Sequence, residues 1–211
     1  MLDKVFNRVK PKIVGALAVA VLSAAGLVLA SCGTTTASAP TKAVEVSQPV
    51  PRVNVYLTIV TGKMIGKPGW PAFVPSNIEV PAHALVTFHV YSFDDPTDMS
   101  GASYIQYTYV KGTVGNTVTV QPFSNTDPNA LGPAQTLSQL DPKAGVSHTF
   151  TITSLGINVP IAPHAVTTFT IKTGGPGTYI WQCYVPCGTG PTGWGGPMVT
   201  NGYMRGELIV K

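Results

Sequence analysis

The chain has 211 residues, a formal net charge of +4, 22 glycines and 19 prolines. That length holds a leader, a linker and one β domain with its own core, and the Gly/Pro load suits a turn-rich β protein rather than a helical one. Lys4, Arg8, Lys10 and Lys12 stand against Asp3 in the first 12 residues, and the remainder carries a net charge of only +1. The basic balance therefore belongs to the N-terminus, and no nucleic-acid surface follows from it.

Residues 13–30 form an uncharged run rich in Ala, Leu and Val behind the charged N-terminal region. The run suits an export signal or a short membrane span. It ends in Leu29-Ala30-Ser31-Cys32, which resembles the lipobox of bacterial lipoproteins. The resemblance implies that residues 1–31 are a signal peptide and that Cys32 is acylated as the new N-terminus. A plain membrane anchor with an incidental cysteine is the alternative. Either reading puts the rest of the chain outside the cytoplasm, and acylation by more than one chain would hold it on the membrane. Residues 32–50 are small, polar and punctuated by proline, without apolar periodicity. They are expected to be a flexible tether.

Beyond residue 50, strand signals recur and no helical period stands out. Val53, Val55, Leu57 and Ile59 alternate with polar neighbours or tyrosine, and Val86, Phe88 and Val90 do the same. Val146, His148, Phe150 and Ile152 alternate with Ser147, Thr149, Thr151 and Thr153. Phe169 with Ile171, Tyr179 with Trp181 and Cys183, and Leu208 with Val210 complete the series. Turn clusters such as Lys67-Pro68-Gly69 and Gly174-Gly175-Pro176-Gly177 separate the segments. The pattern predicts an all-β, Greek-key β-sandwich over 51–211. The stretch 93–145 is less regular. It reads as an insertion on one edge, with a hairpin pairing 104–110 with 117–120 and a solvated turn at Asp94, Asp95 and Asp98.

Cys183 and Cys187 are separated by three residues in WQCYVPCG. Outside the cytoplasm a thiol pair tends to oxidise unless something protects it. A disulfide across the tight loop and a metal site with two thiolates both fit the spacing. His148 shares a strand face with Val146, Phe150 and Ile152, the side expected to be buried. A histidine there needs a partner or a ligand.

The segment SHTFTITSLGINVPIAPHAVTTFTIKTGGPGTYIWQCYVPCG resembles the copper A domain of cytochrome c oxidase subunit II and its counterpart in nitrous oxide reductase, within the cupredoxin superfamily. The likeness covers 146–210 well and 72–92 weakly. In that family two bridging cysteine sulfurs hold two coppers close together, each copper takes one histidine, and a methionine sulfur and a backbone carbonyl are weak outer ligands. Carried over, this implies His148, Cys183, Cys187, Met204 and the carbonyl of Val185 as ligands. The implied function is an electron carrier with one or two copper ions, and the implied partner is a redox protein such as a cytochrome or an oxidase.

The pattern departs from the family after Cys187. Met204-Arg205-Gly206 matches the family's M-x-G, but Asn201 stands where the second histidine belongs, and no histidine follows Cys187. Replacement ligands would be Met198, His164 or Asn201. Three outcomes follow: copper held by an unusual ligand, a single copper held as soft Cu(I) for storage or delivery, or a metal-free envelope binding module with a Cys183–Cys187 disulfide. His83, His89 and His164 read as surface residues, Met198 as loop packing, and Tyr179 and Trp181 as core. No nucleophile–base constellation or H-E-x-x-H zinc pattern points to an enzyme.

Overall fold

The structure, a computed structural model, describes residues 49–124, 127 and 130–211. The signal segment 1–31, Cys32 and all of the tether up to residue 48 lie outside the described residues. Among the described residues no helix is long and apolar enough to cross a membrane.

Among the described residues eleven strands form: β1 (Arg52–Val60), β2 (Ala72–Val74), β3 (Asn77–Val80), β4 (Leu85–Ser92), β5 (Val118–Pro122), β6 (Gln135–Leu137), β7 (His148–Ile152), β8 (Ile157–Ile161), β9 (Ala165–Lys172), β10 (Gly177–Gln182) and β11 (Arg205–Val210). They make a six-stranded sheet in the order β2-β1-β4-β9-β5-β6 and a five-stranded sheet in the order β3-β11-β10-β7-β8. The β1–β4 and β3–β11 pairs are parallel. The two-sheet architecture follows from the alternation. In β4, Val86, Phe88 and Val90 turn inward and are fully buried. Phe88 stacks on Phe169 at 5.0 Å, and Phe150 on Trp181 at 5.4 Å. Each such side chain stabilises the fold by roughly 1.5–3 kcal/mol through burial.

Two expectations are corrected. Residues 104–110 do not pair with 117–120. Ile105–Thr108 is a 3-10 turn, and β5 pairs instead with β9 and β6. Residues three apart eclipse in such a turn, so Tyr104 and Tyr107 share a side and both pack on the core. A strand would have sent them to opposite faces. Nor is 93–145 only an edge insertion: it supplies β5 and β6 and also packs against the second sheet. Asn158 of β8 donates through Nδ2 to the carbonyls of Tyr107 and Tyr109, at 3.1 and 2.7 Å. As a result β7 is buried on both faces. Its threonines are satisfied internally: Thr151 donates to Asn158 Oδ1 at 2.8 Å, and the Thr149 and Thr151 hydroxyls lie 3.0 Å apart.

Candidate metal centre

His148 opens β7, and Cys183 follows the last residue of β10. These strands are neighbours, with Gln182 opposite Thr151, so the ladder brings together two residues 35 positions apart. The Cys183 N–H donates to the Met204 carbonyl at 2.9 Å, tying the start of the cysteine loop to the approach of β11. Thr149 Oγ1 accepts from the Tyr184 N–H at 2.7 Å, and the Cys187 N–H donates to the Val185 carbonyl at 2.8 Å. The loop is thus fixed by backbone bonds at successive positions.

The ligand atoms of His148, Cys183 and Cys187 all lie within 4.8 Å of one another. The two sulfurs are 3.7 Å apart, and both cysteines are free thiols. His148 Nδ1 is 3.8 Å from Cys183 Sγ. Metal bonds to thiolate and imidazole of about 2.0–2.3 Å place tetrahedral ligands roughly 3.3–3.8 Å apart, and the Cys183–Cys187 and Cys183–His148 separations match that spacing. Met198 joins it, with Sδ 3.3 Å from Cys187 Sγ.

Met198 reaches Cys187 because of how the long loop folds. Thr189 and Gly195 pair in an antiparallel bridge, and Gly188 donates to the Gly193 carbonyl at 2.7 Å. A Cβ on Gly188 would fall 2.6 Å from Met198 Cγ and 2.2 Å from the Gly195 oxygen, so only glycine lets the thioether pass. Met204 is equally buried and meets Cys183 through its backbone carbonyl. Val185 is buried; its carbonyl lies 3.8 Å from Cys183 Sγ and already accepts from Cys187. Asn201 sits exposed in a turn. His164 stands in a turn at φ 45° with Nε2 on Asp95 Oδ1 at 2.9 Å, which leaves it outside the His148–Cys183–Cys187 group.

The acidic turn needs a correction. Asp94 is three-quarters buried, and its Oδ2 accepts from His148 Nε2 at 3.0 Å. A carboxylate can only accept here, so Nε2 carries a proton and Nδ1 is the ring nitrogen turned toward the sulfurs. The two residues are 54 positions apart, and nothing local in the sequence links them.

The electrostatics follow from these contacts. Burial opposes charge on His148, but Asp94 and Cys183 outweigh it and hold the imidazole pKa up to about 9. Burial also opposes the Cys183 thiolate, yet contacts with Cys187 and His148 and the Thr149 N–H pull its pKa well below the ordinary value. Cys187, beside that thiolate and buried, is pushed well above. Burial works against the Asp94 carboxylate, and His148 overcomes it to lower the pKa. In the metal-free pocket positive charge on His148 and negative charge on Cys183 thus support each other.

No family model and no curated protein match the chain. Among solved structures it is similar to auracyanin B, at 15% identity and a TM-score of 0.35, covering 78% of this chain and 92% of that one. It is similar to a chain of a heme-copper terminal oxidase dimer at 16% identity and a TM-score of 0.36, covering 78% and 74%. It is also similar to auracyanin A, a "blue" copper protein of Chloroflexus aurantiacus, at 14% identity and a TM-score of 0.30, covering 76% and 99%. The described residues form a β-sandwich built of the two mixed sheets described above.

Proposed function

We propose that this chain is an extracytoplasmic copper protein, held at the membrane by a lipid on Cys32, that carries electrons between a reduced carrier and an oxidase or another redox protein. The single observation that carries the reading is the convergence of His148 Nδ1 and the Cys183 and Cys187 sulfurs within 4.8 Å, at the end of a rigid sandwich and with the Met198 thioether against them. His148, Cys183 and Cys187 would hold the metal, with Met198 as the added sulfur. Bound copper would supply a one-electron couple. The protein's part is to fix the donors: Asp94 orients the imidazole, the Thr149 and Val185 N–H groups point at Cys183 Sγ at 3.4 Å each, and burial keeps water away.

A second reading, Cu(I) storage or delivery, is favoured by one observation: sulfur donors outnumber the one imidazole, and soft ligands select Cu(I). Titrating the reduced full chain with copper in mild detergent, followed by absorption and electron paramagnetic resonance spectra, separates the readings. An intense visible band with a copper signal is expected for an electron carrier, with hyperfine splitting that counts the coppers sharing the electron. Colourless binding lost in Cys183→Ser supports storage. Absence of binding, with Cys183 and Cys187 disulfide-linked in native protein, refutes both.

A further inference from the structure

The candidate centre is closed on nearly every side. Cys183, Val185, Met198 and Met204 are fully buried, and His148 is 1% exposed. Phe73 presses edge-on against the His148 ring at 6.1 Å. Tyr107 stacks on Tyr184 at 4.8 Å, with Trp194 edge-on to Tyr184 at 6.4 Å, beside the cysteine loop. Cys187 alone of the three ligands is partly open. It lines a cavity of about 290 Å³ with Thr61, Lys63, Gly69, Asp94 and Asp95 among the walls.

The turn that lends Thr61, Lys63 and Gly69 to the cavity is held in place. Lys67 donates its backbone N–H to the Gly62 carbonyl at 2.7 Å and lays Nζ 3.2 Å from the Trp70 ring centroid, with Tyr203 OH 3.3 Å away. The turn after β1 is thereby pinned to the segment before β11. Asp94 and Asp95 line the cavity together with Lys63, Asp94 paired with His148 and Asp95 with His164.

We propose that the cavity against Cys187 is the port through which the centre exchanges copper with a small thiol complex of Cu(I), and that Cys187 is the first ligand to capture the metal. The proposal rests on the copper reading above. The exchange is a ligand substitution without redox change. A Cu–S bond to Cys187 forms as the Cu–S bond to the carrier thiol breaks, and the proton of the Cys187 thiol leaves on the carrier. Cys183 Sγ and His148 Nδ1 then complete the ligand set from the buried side as the remaining bond to the carrier breaks, and the proton displaced from Nδ1 leaves with the departing thiol. The two cysteines therefore have different tasks: Cys187 receives and releases, and Cys183 retains.

The test begins with the metal-free, reduced full chain. It is pulsed with N-ethylmaleimide, denatured, labelled at the remaining thiols with iodoacetamide, and mapped by peptide mass. The port predicts maleimide on Cys187 while Cys183 still carries its free thiol, and protection of Cys187 once Cu(I) is supplied as its cysteine complex. Lys63→Trp, at an exposed rim position, is expected to slow both maleimide labelling and copper uptake while leaving the final copper content unchanged. Equal labelling of the two cysteines, or Cys183 first, overturns the port even if copper binds. Labelling of Cys187 first without protection by Cu(I) refutes copper exchange and leaves the cavity as an access route to a thiol. Unchanged uptake in Lys63→Trp with the fold intact also overturns it.

Discussion

His148 shows how a single residue can be decided by a partner far away in sequence. Its strand position marks it for burial, but its chemistry is set by Asp94, which presents only lone pairs to Nε2 and so aims Nδ1 at the sulfurs. Asp94→Asn keeps the volume and loses the charge. It is expected to weaken copper binding by about 10–100-fold, measured by competition with a chelator of known affinity. In the metal-free chain it is expected to move the His148 titration, read from the ring proton resonances, down from about 9. The sign follows from linkage. The raised pKa contributes stability that is complete below the ordinary value of 6.5 and is lost as pH rises through about 9. Cys183, depressed, contributes above the ordinary thiol value of 9.0 and loses it as pH falls. Where both groups titrate the two slopes oppose each other, which is why the ring itself and not the unfolding midpoint is the readout. An unmoved His148 titration in Asp94→Asn would refute the role given to the carboxylate.

At the scale of elements, the strands and the cysteine loop were legible, while the loops that close over them were not. The alternation around Phe88, Phe150 and Leu208 placed inward faces correctly, because period-two burial is local information. The 104–110 segment misled because tyrosines suit strands by propensity. Their packing on the core, and Tyr107's stacking on Tyr184, are long-range facts that override it. The glycine of Met204-Arg205-Gly206 has a structural explanation in this chain. A Cβ at Gly206 would lie 2.0 Å from the Ser76 oxygen and 2.8 Å from Trp181 Nε1, which itself donates to Ser76. The long loop after Cys187 hid its own purpose: a bridge between Thr189 and Gly195 brings Met198, read from the sequence mainly as packing, to a cysteine sulfur. Met198→Leu preserves volume and should change stability by less than about 1.5 kcal/mol. If the thioether is a ligand, the same variant lowers copper affinity and shifts the visible spectrum. Loss of stability without a spectral or affinity change would return Met198 to packing alone.

For the molecule as a whole, the ligands come from separate stretches of chain: β7, the loop after β10, and the loop leading to β11. A metal that joins them binds the folded state and not the unfolded one. At free copper of about 100 times Kd, linkage supplies about 2.7 kcal/mol, or roughly 5–10 °C in Tm for a domain of this size. Thermal unfolding with and without Cu(I) is expected to show that rise, and Cys183→Ser to abolish it; equal midpoints with and without metal would argue against a site built by the fold. The sandwich was legible from punctuation and alternation. The parallel pairings of β1 with β4 and β3 with β11 were not, since they join strands whose sequences carry no mark of each other. The second of these pairings has a consequence for the order of events in synthesis. β11 lies between β3 and β10, so it is the piece that unites the second sheet, yet it is the last of the eleven strands to leave the ribosome. Until it arrives, β3 has no neighbour in its sheet and Cys183 has no Met204 carbonyl to hold. The candidate centre therefore closes only when β11 is in place, and loosening that strand unties the cysteine loop as well as the sheet.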